Sequence, residues 1–185
     1  MAAWGWIVLV IAVLIVIGLV AWVMASRRRS GQLRDRFGPE YDQVMRERGT
    51  RRQAEGELRE RQRRREILQL RPLTTSSRDR YRSRWQDVQA RFVDAPVESI
   101  TQADGLVTEV MQERGYPMSD FEQQAADISV DHPQVVERYR AAHGIALAQD
   151  AGHASTDDLR EAMIHYRALF DELVTEDGGR VREAS

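Results

Sequence analysis

The chain has 185 residues, of which 42% are hydrophobic and 30% are charged, and its formal net charge is −2. It contains no cysteine, which excludes a disulfide-stapled scaffold, a thiolate metal site and a cysteine nucleophile. The composition also argues against a collagen-like or wholly disordered polymer, and the length allows one compact domain with an accessory segment.

The first predicted element is a transmembrane helix over Trp4–Met24, which is 21 residues long and carries no charge. A helix of that length reaches about 31 Å, close to the thickness of a bilayer's hydrocarbon core. Trp4 and Trp6 lie at one end and Trp22 at the other, where indole rings favour the membrane interfaces. We therefore expect residues 1–26 to form an anchor in the lipid bilayer.

A cleaved signal peptide is the alternative for this segment. Small residues around Ala25 would suit cleavage, and removal of residues 1–25 would leave a secreted helical domain. However, the stretch before the apolar run has no basic residue, and the run is longer than the apolar core of a typical signal peptide. A retained span is the favoured interpretation.

Arg27, Arg28 and Arg29 follow the span directly. Because basic residues beside a span stay on the cytoplasmic side, they predict an N-terminus outside and a C-terminal domain inside. We expect these three arginines at the interface of a cell inner membrane. All 27 basic residues of the chain are arginine.

The charge is divided between two segments. Residues 27–91 hold 20 arginines and 10 acids, a net charge of +10, whereas residues 92–185 hold 7 arginines and 19 acids, a net charge of −12. An arginine near an anionic leaflet gains about 1 kcal/mol. Arg34 and Arg36 are near enough to the span to be candidate contacts for anionic lipid.

Residues 27–75 are predicted to form an Arg-rich juxtamembrane helical stalk. Thr50 with Gln53 forms a capping box for a helix that runs to Leu70. Interleaved glutamates favour an exposed, solvated spacer helix that docks only at its C-terminal end. Lipid or nucleic-acid binding through its arginines is the alternative, and nucleic acid is disfavoured because no aromatic residue lies in the run. A further hypothesis is that the stalk folds back on the acidic segment until anionic lipid competes for it.

Residues 76–174 are predicted to form an acidic all-α bundle of five helices, followed by a disordered tail over residues 175–185. One face of its first helix carries Tyr81, Trp85, Val88 and Phe92 at helical spacing. We expect this face in the core, with a membrane-surface helix as the alternative.

Capping residues set the predicted helix bounds within the bundle. Pro96 begins the second helix and Gly115 ends it. Capping boxes are predicted at Ser119–Glu122 and at Asp131–Gln134, and Ser155–Asp158 caps the last helix. Gly144 is expected to weaken or end the helix that contains it.

Few residues carry a signal for chemistry. The sequence has no phosphate-binding loop, no HExxH and no GxSxG motif, and without lysine it cannot form a Schiff base. Glu161 and His165 share a helix face, but a metal site needs three or four ligands. Asp131 beside His132 is the one local acid–imidazole pair, and capping already explains Asp131. We predict no catalytic residue, metal or cofactor.

Three stretches resemble a recurrent bacterial family of small single-pass membrane proteins with an uncharacterised cytoplasmic helical domain. The stretches are ARFVDAPVESITQADGLVTEVMQERGYP, DFEQQAADISVDHPQVVERYRAAHGI and ASTDDLREAMIHYRALFDELV. The resemblance covers roughly residues 80–174 and implies a bacterial inner-membrane setting. It implies no activity, cofactor or site residue.

The sequence therefore predicts a membrane-anchored, non-enzymatic interaction or scaffold module that binds an unidentified protein partner. The alternative is a membrane-tethered enzyme or ligand-binding bundle whose site forms between the helices.

Overall fold

The computed structural model describes residues 14–19, 21, 24 and 30–175, and throughout these residues the regular secondary structure is helical. Residues 30–37 form one helical segment. The helices that follow are α1 (Pro39–Arg48), α2 (Arg51–Ile67), α3 (Thr75–Arg91), α4 (Pro96–Arg114), α5 (Phe121–Asp131), α6 (Val136–Asp150) and α7 (Thr156–Thr175). The predicted all-α class is confirmed for this part of the chain.

Most of the predicted span, including Trp4, Trp6 and Trp22, lies outside the described residues, as do Arg27–Arg29 and residues 176–185. Among the residues that the structure does describe, no helix combines the length and apolarity that a membrane crossing requires. The anchor and its orientation stay predictions.

The chain divides into two compact units, Met1–Leu58 and Arg59–Ser185, and the division falls within α2. In the first unit the buried apolar residues are Leu33, Phe37, Tyr41, Val44, Ala54 and Leu58. Glu55 is buried there too, and it accepts hydrogen bonds from Ser30 Oγ at 2.6 Å and Arg51 Nε at 2.8 Å. Its carboxylate is therefore satisfied although it is removed from water.

The second unit contains the predicted five-helix bundle, α3–α7. Helix α7 packs against α3, α4 and α6, and α4 also packs against α3. Tyr81, Trp85 and Val88 are at most 5% exposed and belong to one apolar core with the buried faces of α4 and α7, while Phe92 packs against that core partly buried. The core interpretation of this face is confirmed.

Several predicted helix bounds are confirmed. Pro96 occupies the first turn of α4, and Gly115 ends α4 with φ of 93°. Before α7, Ser155 and Asp158 form a reciprocal cap, in which Ser155 N donates to Asp158 Oδ2 at 2.7 Å and Asp158 N donates to Ser155 Oγ at 3.2 Å. Ahead of α2, the Thr50 hydroxyl donates to Gln53 Oε1 at 2.7 Å, which joins the two side chains of the predicted capping box but is not a bond to a main-chain N–H.

Other predicted bounds are wrong. The cap of α5 is Asp120, not Ser119, because the Asp120 carboxylate accepts from Gln123 N at 2.9 Å. Asp131 is not a cap but the last residue of α5, and its side chain pairs with Arg65. Gly144 does not end its helix, since α6 continues to Asp150.

Helix α2 is not the exposed spacer that its charge predicted. Ala54 and Leu58 are fully buried in the first unit, and Arg61 is only 5% exposed in the second. Within the helix, Arg64 NH1 lies 4.0 Å from Glu60 Oε1. The prediction failed because arginines on one face find acidic partners on other helices.

Candidate interaction surface

A groove of about 270 Å³ runs between α3 and α4 in the second unit. Its lining combines two buried apolar residues at the floor with charged and amide side chains at the rim. The lining residues are Arg84, Asp87, Val88, Arg91, Gln102, Gly105, Leu106 and Glu109. This lining suits recognition of a mixed polar and apolar segment.

The sequence opens this groove through Gly105, which lies in the middle of α4. A Cβ built on Gly105 meets no other atom within 4 Å, so the space above it is open. Glycine in a helix interior costs roughly 0.5–1 kcal/mol relative to alanine. At Gly105 this loss of helix stability is associated with open space in the groove between α3 and α4.

An ion pair between α3 and α4 forms part of the groove's lining. Arg84 contacts Glu109 through both terminal nitrogens, with NH2 to Oε1 at 2.9 Å. The Arg84 guanidinium lowers the pKa of the Glu109 carboxyl from its usual value, against the opposing effect of partial burial. The bidentate geometry fixes both side chains.

The rest of the rim offers charges that are not committed elsewhere. Among the described residues, the side chains of Asp87 and Arg91 form no hydrogen bond or ion pair, and both are exposed. The loop that follows Arg91 adds an exposed apolar residue, Val93, which is 85% accessible. The rim thus offers one anion and one cation, both on α3 and four residues apart.

A second polar cluster joins the C-terminal part of α2 to α5. Arg65 pairs with Asp131, Arg64 Nε lies 3.8 Å from Asp127 Oδ1, and Arg61 NH1 donates to Ser129 Oγ at 3.2 Å. The side chain of Asp127 is 3% exposed and that of Asp131 is 9% exposed. Burial raises the pKa of Asp127 even though Gln123 and Arg64 oppose the shift.

The sequence paired His132 with Asp131, but the structure gives the two residues different partners. His132 is 1% exposed, and its Nδ1 lies 3.4 Å from Glu172 Oε1 on α7. The Asp131 carboxylate faces Arg65 and also the Tyr116 hydroxyl, at 3.5 Å. The acid–imidazole pair suggested by adjacency is therefore not formed by these two residues.

The other histidine pair is formed as its spacing indicated. His165 Nε2 lies 3.4 Å from Glu161 Oε1 on the same turn of α7. Within the described part of the chain, however, no group of three or more histidine or carboxylate side chains is placed to hold a metal ion.

Arg34 and Arg36, the predicted lipid contacts, are both exposed on the helical segment 30–37. Arg34 NH2 lies 3.6 Å from Asp42 Oδ1, and this pair is open to solvent. Their exposure leaves both guanidinium groups accessible, and lipid contact stays a prediction.

Sequence reasoning missed the groove and the partners of the arginines on α2. The groove had one local signal, a glycine inside a strongly helical segment, which often marks a packing or binding role. The arginine partners had none, since Arg65 and Asp131 are 66 residues apart.

Comparison with protein-family models, with curated proteins and with solved structures finds no match to this chain.

Proposed function

We propose that the protein is a membrane-anchored, non-enzymatic interaction module, in which the α3–α4 groove receives a segment of a partner protein on the cytoplasmic side of the inner membrane. The observation that carries the proposal is the pair of uncommitted charges, Asp87 and Arg91, beside an open gap at Gly105. The apolar run Trp4–Met24 and the arginines after it support the anchor.

The groove favours a peptide segment as its occupant. A segment with an acidic group for Arg91, a basic group for Asp87 and an apolar side chain above Leu106 would complement both the uncommitted charges and the apolar floor of the groove. Complementary charge at a rim contributes specificity, and an apolar anchor in the centre contributes affinity.

The core beneath the groove is filled by apolar and aromatic side chains. Burial raises the pKa values of Tyr139 and Tyr166, with Asp104 adding to each shift, and both rings belong to the apolar core. This interior supports a rigid platform that presents its outer surface to the partner.

The test is site-specific photocrosslinking in membranes with the full chain. A photoreactive side chain at Gln102, on the rim, should give a discrete adduct with a second protein. Gly105→Trp fills the groove and should abolish that adduct, because the indole occupies open space without disturbing the fold.

Gly144→Trp is the matched control, since Gly144 is also a helical glycine with open space around it, on α6. The adduct should persist in this variant. An adduct that Gly105→Trp leaves unchanged, or that Gly144→Trp removes equally, would contradict the groove as the binding surface.

A further inference from the structure

The C-terminal part of α2, residues 59–67, is attached to the bundle by charge and not by apolar packing. No residue of this stretch belongs to the bundle's apolar core, and Ile67 at its end is 79% exposed. Among the described contacts, Arg61, Arg64 and Arg65 reach side chains of α5. We call this set of contacts the latch.

The chain that follows the latch is held separately. Arg71 N donates to Arg114 O at 3.0 Å, and Arg71 Nε donates to Glu113 O at 2.9 Å. Leu70 packs against the core. The segment 68–71, which we call the strap, therefore stays on the end of α4 whether or not the latch is closed.

The latch leaves part of its cationic charge unused. Residues 59–65 contain five arginines, and the exposed side chain of Arg63 has no hydrogen bond or ion pair among the described residues. Arg64 is still 40% exposed and Arg65 is 28% exposed. A guanidinium group binds phosphate with the same fork geometry that it uses for a carboxylate.

We propose that residues 59–67 form a binding surface for anionic lipid, and that Asp127 and Asp131 of α5 compete with lipid phosphates for the same arginines. The latch is closed when no anionic surface is near, and it opens about the strap when the arginines bind headgroups. The lipid is the occupant because the helix offers a row of cations with little apolar area, which suits a charged surface.

The inference rests on the membrane anchor of the proposed function, which brings α2 close to headgroups. It does not depend on the α3–α4 groove. The two are separated experimentally because vesicle flotation reports the anchor, whereas the distance between α2 and α5 reports the latch.

The experiment uses the absence of cysteine from the chain. Spin labels are attached to the full chain at Ile67→Cys and Glu122→Cys, two exposed positions on the helices that the latch joins. The chain is reconstituted in phosphatidylcholine alone or in equimolar phosphatidylcholine and phosphatidylglycerol. We expect one short distance in the first lipid and an additional longer distance in the second.

Two variants test the two competing interactions separately, namely the contact of the arginines with lipid and their contact with Asp127 and Asp131. Arg63→Gln removes a lipid contact and leaves the latch intact, so the longer population should fall about fivefold while the short distance is unchanged. Asp127→Asn with Asp131→Asn weakens the latch, so the longer population should rise at the same lipid composition.

Identical distances in the two lipid compositions would overturn the proposal. Opening of the same size by soluble glycerol phosphate would also overturn it, because the ligand would then be a free phosphate and not a membrane surface. If the chain fails to float with vesicles, the anchor is wrong. In that case, vesicles of both compositions are added to the unanchored chain, and the distance between the two spin labels is measured again. A longer distance only with the anionic vesicles would support opening of the latch.

Discussion

Trp85 of α3 stacks on Phe170 of α7, with the ring centroids 4.6 Å apart and the ring planes 18° from parallel. Both residues are at most 4% exposed. Residues far apart in sequence thus form one layer of the core, and their stacking orients α3, which carries one wall of the groove.

This stacking predicts that substitutions of Trp85 and Phe170 have non-additive effects on the free energy of unfolding. Trp85→Leu and Phe170→Leu should each lower the free energy of unfolding by about 1–3 kcal/mol, because each loses buried ring area. The double variant should lose less than the two single losses combined, by about 0.5–1.5 kcal/mol, since the ring–ring interaction is removed only once. Urea unfolding followed by circular dichroism measures all three, and strict additivity would argue against the stacked pair.

Replacement of Gly115 and of Gly105 by alanine should change the stability of the fold in opposite directions. Gly115 has φ of 93°, and a Cβ there would lie 3.0 Å from the Gln69 carbonyl oxygen, so Gly115→Ala should destabilise the fold by about 1–2 kcal/mol. Gly105→Ala meets open space in a helix and should stabilise it by about 0.5–1 kcal/mol. Thermal unfolding of both variants measures the direction of each change in stability. A change in the same direction for both would contradict the explanation from backbone conformation.

Arg114 connects the ends of two core helices. It is 6% exposed, and its NH1 donates to the Leu173 carbonyl oxygen at 2.9 Å, near the C-terminus of α7. Arg114→Met should cost about 1–3 kcal/mol, because the carbonyl loses a charged donor in a buried position. Arg138→Met, at an exposed position of α6, is the control and should change the unfolding free energy by no more than about 0.5 kcal/mol.

The pair of Arg84 and Glu109 predicts a small dependence of stability on acid. The folded pKa of Glu109 is lowered mainly by its hydrogen bonds with Arg84. Its contribution is therefore present above the unfolded pKa and is lost as the pH falls through the folded pKa. Because both side chains are nearly half exposed, the contribution is about 0.5 kcal/mol. Glu109→Gln should be less stable than the parent at neutral pH, and the difference should vanish in acid; a constant difference would contradict the pair's role.

The anchor and the signal peptide predict different mature chains. A retained span leaves Met1–Ala25 on the protein recovered from membranes, because no peptidase removes it. Intact mass determination of the purified chain distinguishes the two cases. A chain that begins near Ser26 and lies outside the cell would contradict the anchor and favour the secreted alternative.

The sequence predicted helices well wherever apolar spacing or a cap was explicit. Tyr81, Trp85 and Val88 were assigned to the core because their period is that of a helix, and Gly115 was assigned to a helix end because few other residues tolerate its backbone angle. The first unit was missed in part, although Leu33, Phe37, Tyr41 and Val44 have the same helical period. Arginines interleaved with these apolar positions make the segment strongly polar on average, so its composition does not show the apolar face.

Long-range pairing was beyond sequence reasoning. Asp131 has the local signature of a helix cap, and no local signal shows that Arg65 would bind its carboxylate instead. The groove is likewise a property of two helices, since Asp87 and Gln102 line the same groove only after α3 and α4 pack. Such contacts are decided by tertiary packing, which outweighs local preference.

The strap has a practical consequence for excision of the bundle. A fragment cut at Ser76 would lack Leu70 and Leu73, and with them the main-chain bond from Arg71 to Arg114. The C-terminal end of α4 would then lose the apolar cover that Leu70 and Leu73 give, and water would replace Arg71 as the donor to the Arg114 carbonyl oxygen. A fragment that begins at Arg59 keeps these contacts, and it is the piece we would expect to purify as a stable, monodisperse species.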